Sequence, residues 1–274
     1  MDHVDVEGLR IGYERAGAGP PLVLLHGFVG DARSTWTRQL EELSDEFTVV
    51  AWDMPGAGGS SEPPEWFRSP HFADCLAGFI DALGLVRPHL VGLSFGGVVA
   101  LELFRRHPDI PRTLVLAGAY AGWAGSLAPE QVEERLRFCL RAAELSPQEF
   151  VDAMIPSMFC EPDTARVVEF AASMRRFSPA GFRMMARASA EADLRDVLAR
   201  INVPTLLLSG DGDARAPLPI AEALHAAIPG SRLVVLPGVG HVSSVEAPQR
   251  FNREVRDFIR STGDDPYALR DYPR

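Results

Sequence analysis

Short apolar runs alternate with amphipathic stretches along most of this chain. The runs at 22–25, 47–51, 89–92, 113–116, 205–208 and 232–236 are rich in leucine and valine. They are too short for buried helices and are bounded by turn residues, so they predict strands. The stretch 9–14 predicts an edge strand, closed by the Gly/Ala/Pro turn at 16–21. Helical spacing predicts helices over 72–83, 97–106, 220–228 and 248–261. Strands that are apolar on both faces, with helices between them, predict a mostly parallel sheet covered on both sides. Arg105 and Arg106 close the helix 97–106 where its dipole favours cations, and Pro108 stops it.

The alternation breaks once. From about 122 to 200 no strand pattern occurs, and helix starts appear instead. Ser146-Pro147-Gln148-Glu149 reads as a capping box with proline at the first helical position, and Ser178-Pro179 as a second N-cap. This predicts a helical insertion in an α/β core. It contains Met154, Met158, Met174, Met184 and Met185 with six phenylalanines from Phe138 to Phe182. Such residues build a core, and methionine also suits a pocket that must adapt to its ligand. The tail, 262–274, carries no pattern, which predicts a mobile or surface-lying segment.

Composition narrows the function classes. With 27 basic against 37 acidic side chains, the formal charge is −10, and no Lys/Arg cluster exceeds a pair. Phosphate backbones and anionic lipid are therefore disfavoured as partners, and a nucleic-acid role with them. The same acidity suggests a neutral small-molecule substrate. No apolar run reaches the length of a membrane span, and the acidic start Met1-Asp2-His3-Val4-Asp5 is unlike a signal peptide. The expected location is the cytoplasm, as a monomer or a homodimer. Cys75, Cys139 and Cys160 are widely spaced, without a CxxC pair, and are expected to be buried small hydrophobes. The scattered histidines offer no HxH or HExxH spacing for a metal. Trp36, Trp52, Trp66 and Trp123 are expected in the core or lining a pocket.

The chemistry concentrates where the strand 89–92 turns into the helix 97–106, at Gly92-Leu93-Ser94-Phe95-Gly96-Gly97. A serine on so tight a turn takes a strained backbone conformation and projects its hydroxyl, and flanking glycines remove Cβ atoms that would clash. A serine hydroxyl needs a base within hydrogen-bond reach and an acid to orient that base. Asp213, after the strand 205–208, and His241, after the strand 232–236, supply both in order. All three follow strand C-terminal ends, the edge where open α/β sheets bind ligands.

On these residues the chain resembles the α/β-hydrolase superfamily over about 9–120 and 200–260. Leu25-His26-Gly27-Phe28 and Asp53-Met54-Pro55-Gly56-Ala57-Gly58-Gly59-Ser60 match further family loops. The resemblance implies a mostly parallel eight-stranded sheet flanked by helices. It also implies a discontinuous core of 1–120 and 201–274 and a helical cap of 121–200. It implies a catalytic triad of Ser94, Asp213 and His241, with Asp213, three residues after Gly210, preferred to Asp211. The backbone N–H groups of Phe28 and Phe95 would form the oxyanion hole, their rings walling the acyl site. His26 would be a structural hydrogen-bonder and Asp53 a turn-stabilising carboxylate. Tyr120, Trp123, Met154, Met158 and Phe159 are pocket candidates. No cofactor or metal is required.

A serine at the elbow points away from relatives with an aspartate or cysteine nucleophile. The leading expectation is hydrolysis of an ester, lactone or similar acyl compound of a small apolar or aromatic molecule through an acyl-enzyme. The alternatives are carbon–carbon hydrolysis of the meta-cleavage-product type, disfavoured by the loop Gly27-Phe28-Val29-Gly30, and cofactor-free haloperoxidase- or perhydrolase-like chemistry. A slow or non-catalytic small-ligand receptor is the alternative from another class.

Overall fold

A computed structural model describes residues 1–162 and 164–263 of the chain. Its centre is an eight-stranded sheet in the order β1-β2-β4-β3-β5-β6-β7-β8. The strands are β1 (Asp2–Val6), β2 (Leu9–Ala16), β3 (Pro21–Leu25), β4 (Thr48–Trp52), β5 (His89–Leu93), β6 (Thr113–Ala117), β7 (Thr205–Gly210) and β8 (Arg232–Leu236). From β4 to β8 every neighbouring pair is parallel, while β2 pairs antiparallel with both β1 and β4. The strands β4, β5, β6 and β7 are buried at every position. Their continuous apolar runs are the signature of strands covered on both faces.

Two elements depart from the sequence expectation. The stretch 9–14 is not the edge, because β1 pairs outside β2. The two join through Glu7 and Gly8, both at positive φ (52° and 83°), the conformation of a tight hairpin turn. Helix α1 (Ala32–Glu42) was not predicted, because its buried face is partly polar: Thr35 and Gln39 lie beside Ala32 and Trp36. Gln39 Nε2 donates to Asn252 Oδ1 at 2.7 Å and to the Ser244 carbonyl at 3.2 Å. A polar residue thus occupies the apolar stripe by being hydrogen-bonded across the interface.

The remaining core helices are α2 (Ser69–Ala82) and α3 (Phe95–Arg106). Between β6 and β7 come α4 (Pro129–Ala142), α5 (Pro147–Met154), α6 (Ala165–Met174), α7 (Pro179–Glu191) and the short α8 (Arg195–Leu198). The chain ends in α9 (Leu218–Ala227), α10 (Ser243–Glu246) and α11 (Pro248–Ser261). Both predicted N-caps of the insertion form. The Ser146 N–H donates to Glu149 Oε2 at 3.0 Å, and Ser178 Oγ accepts from the Gly181 N–H at 3.0 Å.

Cys75 and Cys139 are buried, but Cys160 is exposed, because it follows the last turn of the segment 155–158 at the surface. Trp66 is likewise exposed, in the loop before α2, with its ring against Phe67 and His71. Of the tail, 264–274 lies outside the described residues. Among the described residues, no helix is long and apolar enough to cross a membrane.

Candidate active site

Strand β5 ends at Leu93 and α3 begins at Phe95, which leaves Ser94 alone in the turn at φ 53° and ψ −113°. Only three non-glycine residues among those described have positive φ. Glu7 makes the β1–β2 hairpin turn and Arg87 precedes β5, whereas Ser94 is the single residue between a strand and a helix, so its strain is a local requirement of that turn. Its N–H donates to the Ala117 carbonyl of β6 at 2.8 Å, which ties the turn to the sheet. The flanking glycines are sterically required. A Cβ on Gly96 would stand 2.1 Å from the Leu25 carbonyl oxygen, and one on Gly92 2.5 Å from the Gly96 carbonyl carbon.

The loop after β7 carries Asp213, and the loop after β8 carries His241; both are buried. Asp213 Oδ1 accepts from the N–H groups of Arg215 and Ala216, each at 2.8 Å, and Oδ2 lies 2.8 Å from His241 Nδ1. Burial pushes the Asp213 carboxyl upward. The charge and hydrogen bond of His241 and the two N–H donors outweigh it, leaving the carboxyl below the usual carboxylate range. An ionised carboxylate only accepts, so Nδ1 carries the imidazole proton and Nε2 is left as the acceptor. Asp211 is exposed and accepts from the Gly238 N–H at 2.7 Å, so it braces the β8 turn instead of the imidazole.

Ser94 and His241 line one small void of about 20 Å³, together with Phe28, Met158, Phe170 and Arg215. That is room for about one water molecule. Beside it lies a cleft of about 620 Å³ that shares Phe28 and Val29 with the void and is walled by Met174, Phe177, Phe182 and Met185. Gly27 brings the β3 loop close: a Cβ there would lie 3.5 Å from Ser94 Cβ. The Phe28 N–H has no backbone acceptor among the described residues, and the Phe95 N–H, at the first position of α3, has none within its helix.

The aromatic rings divide. Phe28 packs edge-on against Trp123 (6.0 Å between centroids) and Phe182 (5.3 Å) and walls both cavities. The Phe95 ring does not wall the site, because α3 turns it inward onto Phe72 at 5.2 Å. Of the five pocket candidates, Met158 lines the void. Trp123 stands behind Phe28, and Phe159 packs on Phe170 at 5.6 Å. Met154 and Tyr120 sit behind Arg215: Met154 Sδ is 3.3 Å from its Nη2, and the Tyr120 hydroxyl donates to its carbonyl.

His26 and Asp53 form a buried pair beneath the site. His26 Nε2 accepts from the Met54 N–H at 3.0 Å, while Nδ1 donates to the Gly27 carbonyl. Asp53 accepts from the N–H groups of Ala32 (2.6 Å) and Gly59 (2.7 Å). Burial holds the imidazole below its usual range and pushes the Asp53 carboxyl up. These bonds fix the loops after β3 and β4. Two further residues at the site, Arg215 and Gly118, had no signal in the sequence. Gly118 sits at φ 51° where a Cβ would lie 3.0 Å from His241 Nδ1 and 3.2 Å from Asp213 Oδ2.

The sequence model of the alpha/beta hydrolase fold matches residues 20–248. Among solved structures, a thermophilic esterase from Thermogutta terrifontis, with malate bound, is 32% identical with a TM-score of 0.87, over 95% of this chain and 99% of that one. The enol-lactonase from Burkholderia xenovorans LB400 is 27% identical with a TM-score of 0.86, over 94% of this chain and all of that one. A protein of Pseudomonas savastanoi pv. phaseolicola named "Putative carbamate hydrolase RutD" is 29% identical over 89% of this chain and 95% of its own length.

Proposed function

Because the chain belongs to the α/β-hydrolase family, we propose that it is a serine hydrolase that cleaves an ester, lactone or similar acyl compound through an acyl-enzyme on Ser94. The observation that carries this reading is the 2.8 Å bond between Asp213 and His241, with His241 and Ser94 on one void. His241 Nε2 takes the Ser94 proton as Oγ attacks the acyl carbon, and Asp213 holds the imidazole in that tautomer and stabilises its cation. The N–H groups of Phe28 and Phe95 receive the oxyanion, each donor worth about 3–4 kcal/mol in the transition state. When the tetrahedral adduct collapses, His241 gives its proton to the leaving oxygen. A water activated by the same imidazole then releases the acid and regenerates Ser94.

The helices of 121–200 act as a cap on a core built from 1–120 and, of 201–274, the described residues 201–263. Phe28, Met158 and Phe170 give the acyl group an apolar wall. Phe28 and Val29 line both the void at Ser94 and the 620 Å³ cleft, so a substrate held in the cleft reaches Ser94 past these two residues. The test is labelling by a fluorophosphonate probe. Wild-type protein should be labelled and Ser94→Ala should not; a wild type that resists the probe while folded would overturn the reading.

A further inference from the structure

Arg215 stands two residues beyond the candidate acid and lines the void shared by Ser94 and His241. Its partners are unusual for a guanidinium. Nε donates to Ser157 Oγ at 3.0 Å, and Nη2 has only the thioether of Met154, at 3.3 Å. Among the described residues no carboxylate forms an ion pair with Arg215, and no acceptor is hydrogen-bonded to Nη1. A thioether is a weak acceptor, so the fork of donors that fits a carboxylate is largely unused. Burial pulls this guanidinium below its usual range, and the nearby charge of Arg135 adds to the effect.

Arg135 repeats the pattern. It donates to the Tyr120 hydroxyl at 2.7 Å and to the Arg215 carbonyl at 2.8 Å, and its guanidinium lies over the rings of Tyr120 and Trp123. It too forms no ion pair with a carboxylate among the described residues; its hydrogen bonds go to a hydroxyl and a carbonyl. Two adjacent arginines without a carboxylate ion pair place two positive charges near the void, against the single Asp213 carboxylate whose charge acts on Arg215. Holding an arginine so poorly matched is costly unless something completes it.

We infer that Arg215 is a specificity-determining residue whose guanidinium receives a carboxylate carried by the substrate, so that the enzyme prefers acyl compounds bearing a negative charge. This rests on the serine-hydrolase reading of the site, and it replaces the neutral substrate suggested by the overall acidity. Arg135 holds the carbonyl of Arg215 and adds its charge beside it. A purely structural Arg215 would instead pin the segment around Ser157 and leave charge selectivity unchanged.

The test compares two matched ester pairs, with the carboxylate on the acyl side (mono-p-nitrophenyl glutarate against p-nitrophenyl pentanoate) or on the alcohol side (4-acetoxybenzoate against 4-methylphenyl acetate). The wild type should favour the charged member of at least one pair by about tenfold or more in kcat/KM. That ratio should collapse to within about threefold in Arg215→Gln and return in part in Arg215→Lys. Preference for the neutral member of both pairs, or a ratio unmoved by Arg215→Gln, would overturn the inference. Should Arg215→Gln fail to fold, inhibition of the wild type by glutarate decides. Competitive inhibition that glutaramide does not reproduce supports the carboxylate site, and equal behaviour of the two overturns it. Loss of fluorophosphonate labelling marks failure of the hydrolase reading itself, whereas labelling without charge preference marks failure of this inference alone.

Discussion

Ser94 and Asp213 illustrate how differently two residues of one site are specified. Ser94 is fixed by backbone sterics, since the turn leaves one residue between strand and helix and glycines must flank it. Asp213 is fixed by hydrogen bonding, with both oxygens saturated by two N–H groups and the imidazole. Its carboxyl stays ionised through neutral pH, so Asp213→Asn would replace an obligate acceptor with a group that can force the wrong tautomer on His241. The expected loss in kcat/KM is about 10⁴-fold, against less than about threefold for Asp211→Asn, which only loosens the Gly238 turn. Steady-state kinetics of both variants on one p-nitrophenyl ester checks the assignment, and the reverse order would move the acid to Asp211. Ser94, Asp213 and His241 were legible as one candidate site because each follows the C-terminal end of a strand that the sequence predicts. Gly118 and Arg215 were not, because their significance lies in what the fold brings against them from distant loops. Phe95 misled for a related reason: a main-chain donor and its own ring point to different places.

At the level of elements, the helical insertion is joined to the loop of His241 by a small set of polar contacts. The N–H groups of His241 and Val242 donate to the Met158 carbonyl at 2.8 and 3.3 Å. The Glu246 carboxylate, in α10, spans the same junction, accepting from Cys160 N (2.7 Å) and Glu161 N (2.8 Å) with one oxygen and from Gly240 N (2.5 Å) with the other. Glu246→Gln would set an amide N–H against one of these donors, at a cost of about 1–3 kcal/mol for the group left unsatisfied. The expected outcome is a Tm lower by a few degrees, about 2–4 °C per kcal/mol for a chain of this size, with faster amide exchange at 158–161. Exchange unchanged there would show that the carboxylate does not hold the junction. The insertion was legible as helical from its caps, Ser146 and Ser178, because side-chain capping is a local interaction. Helix α1 and strand β1 were hidden. The first buries Gln39 against Asn252, 213 residues away, and the second has a pattern that is polar until it pairs with β2.

Across the whole molecule, the first and last parts of the chain are clasped by charge as well as by apolar packing. Helix α11 buries Phe251, Val255, Phe258 and Ile259, with the Phe251 ring 5.9 Å from that of Trp36 in α1. From its outer side Arg256 and Arg260 reach Glu46, each with a contact of 2.8 Å or less, and Arg256 also reaches Asp45. The hydrogen bond from Arg260, joined by that from Arg256 and by the charge of both, holds the Glu46 carboxyl below its usual range against the opposing effect of burial. A carboxyl depressed in the folded state contributes fully above its unfolded value, near 4.5, and that contribution is lost as pH falls through the folded value. Because the network is partly exposed and screened, its worth is about 0.2–1 kcal/mol. Glu46→Gln should therefore lower Tm by roughly 1–3 °C at pH 7, and the gap to wild type should narrow as pH falls below 4.5. Added salt should narrow the gap at neutral pH too. Thermal melts of both proteins from pH 7 to pH 3 decide the matter, since a gap independent of pH and salt would assign the effect of Glu46 to packing. The same contrast separates surface from site. In this network acids neutralise arginines, whereas Arg215, which lines the void with Ser94, and Arg135, which holds its carbonyl, form no ion pair with a carboxylate among the described residues. The field that meets a substrate is thus set by the pairing of individual side chains, and it can oppose in sign the charge of the molecule that carries it.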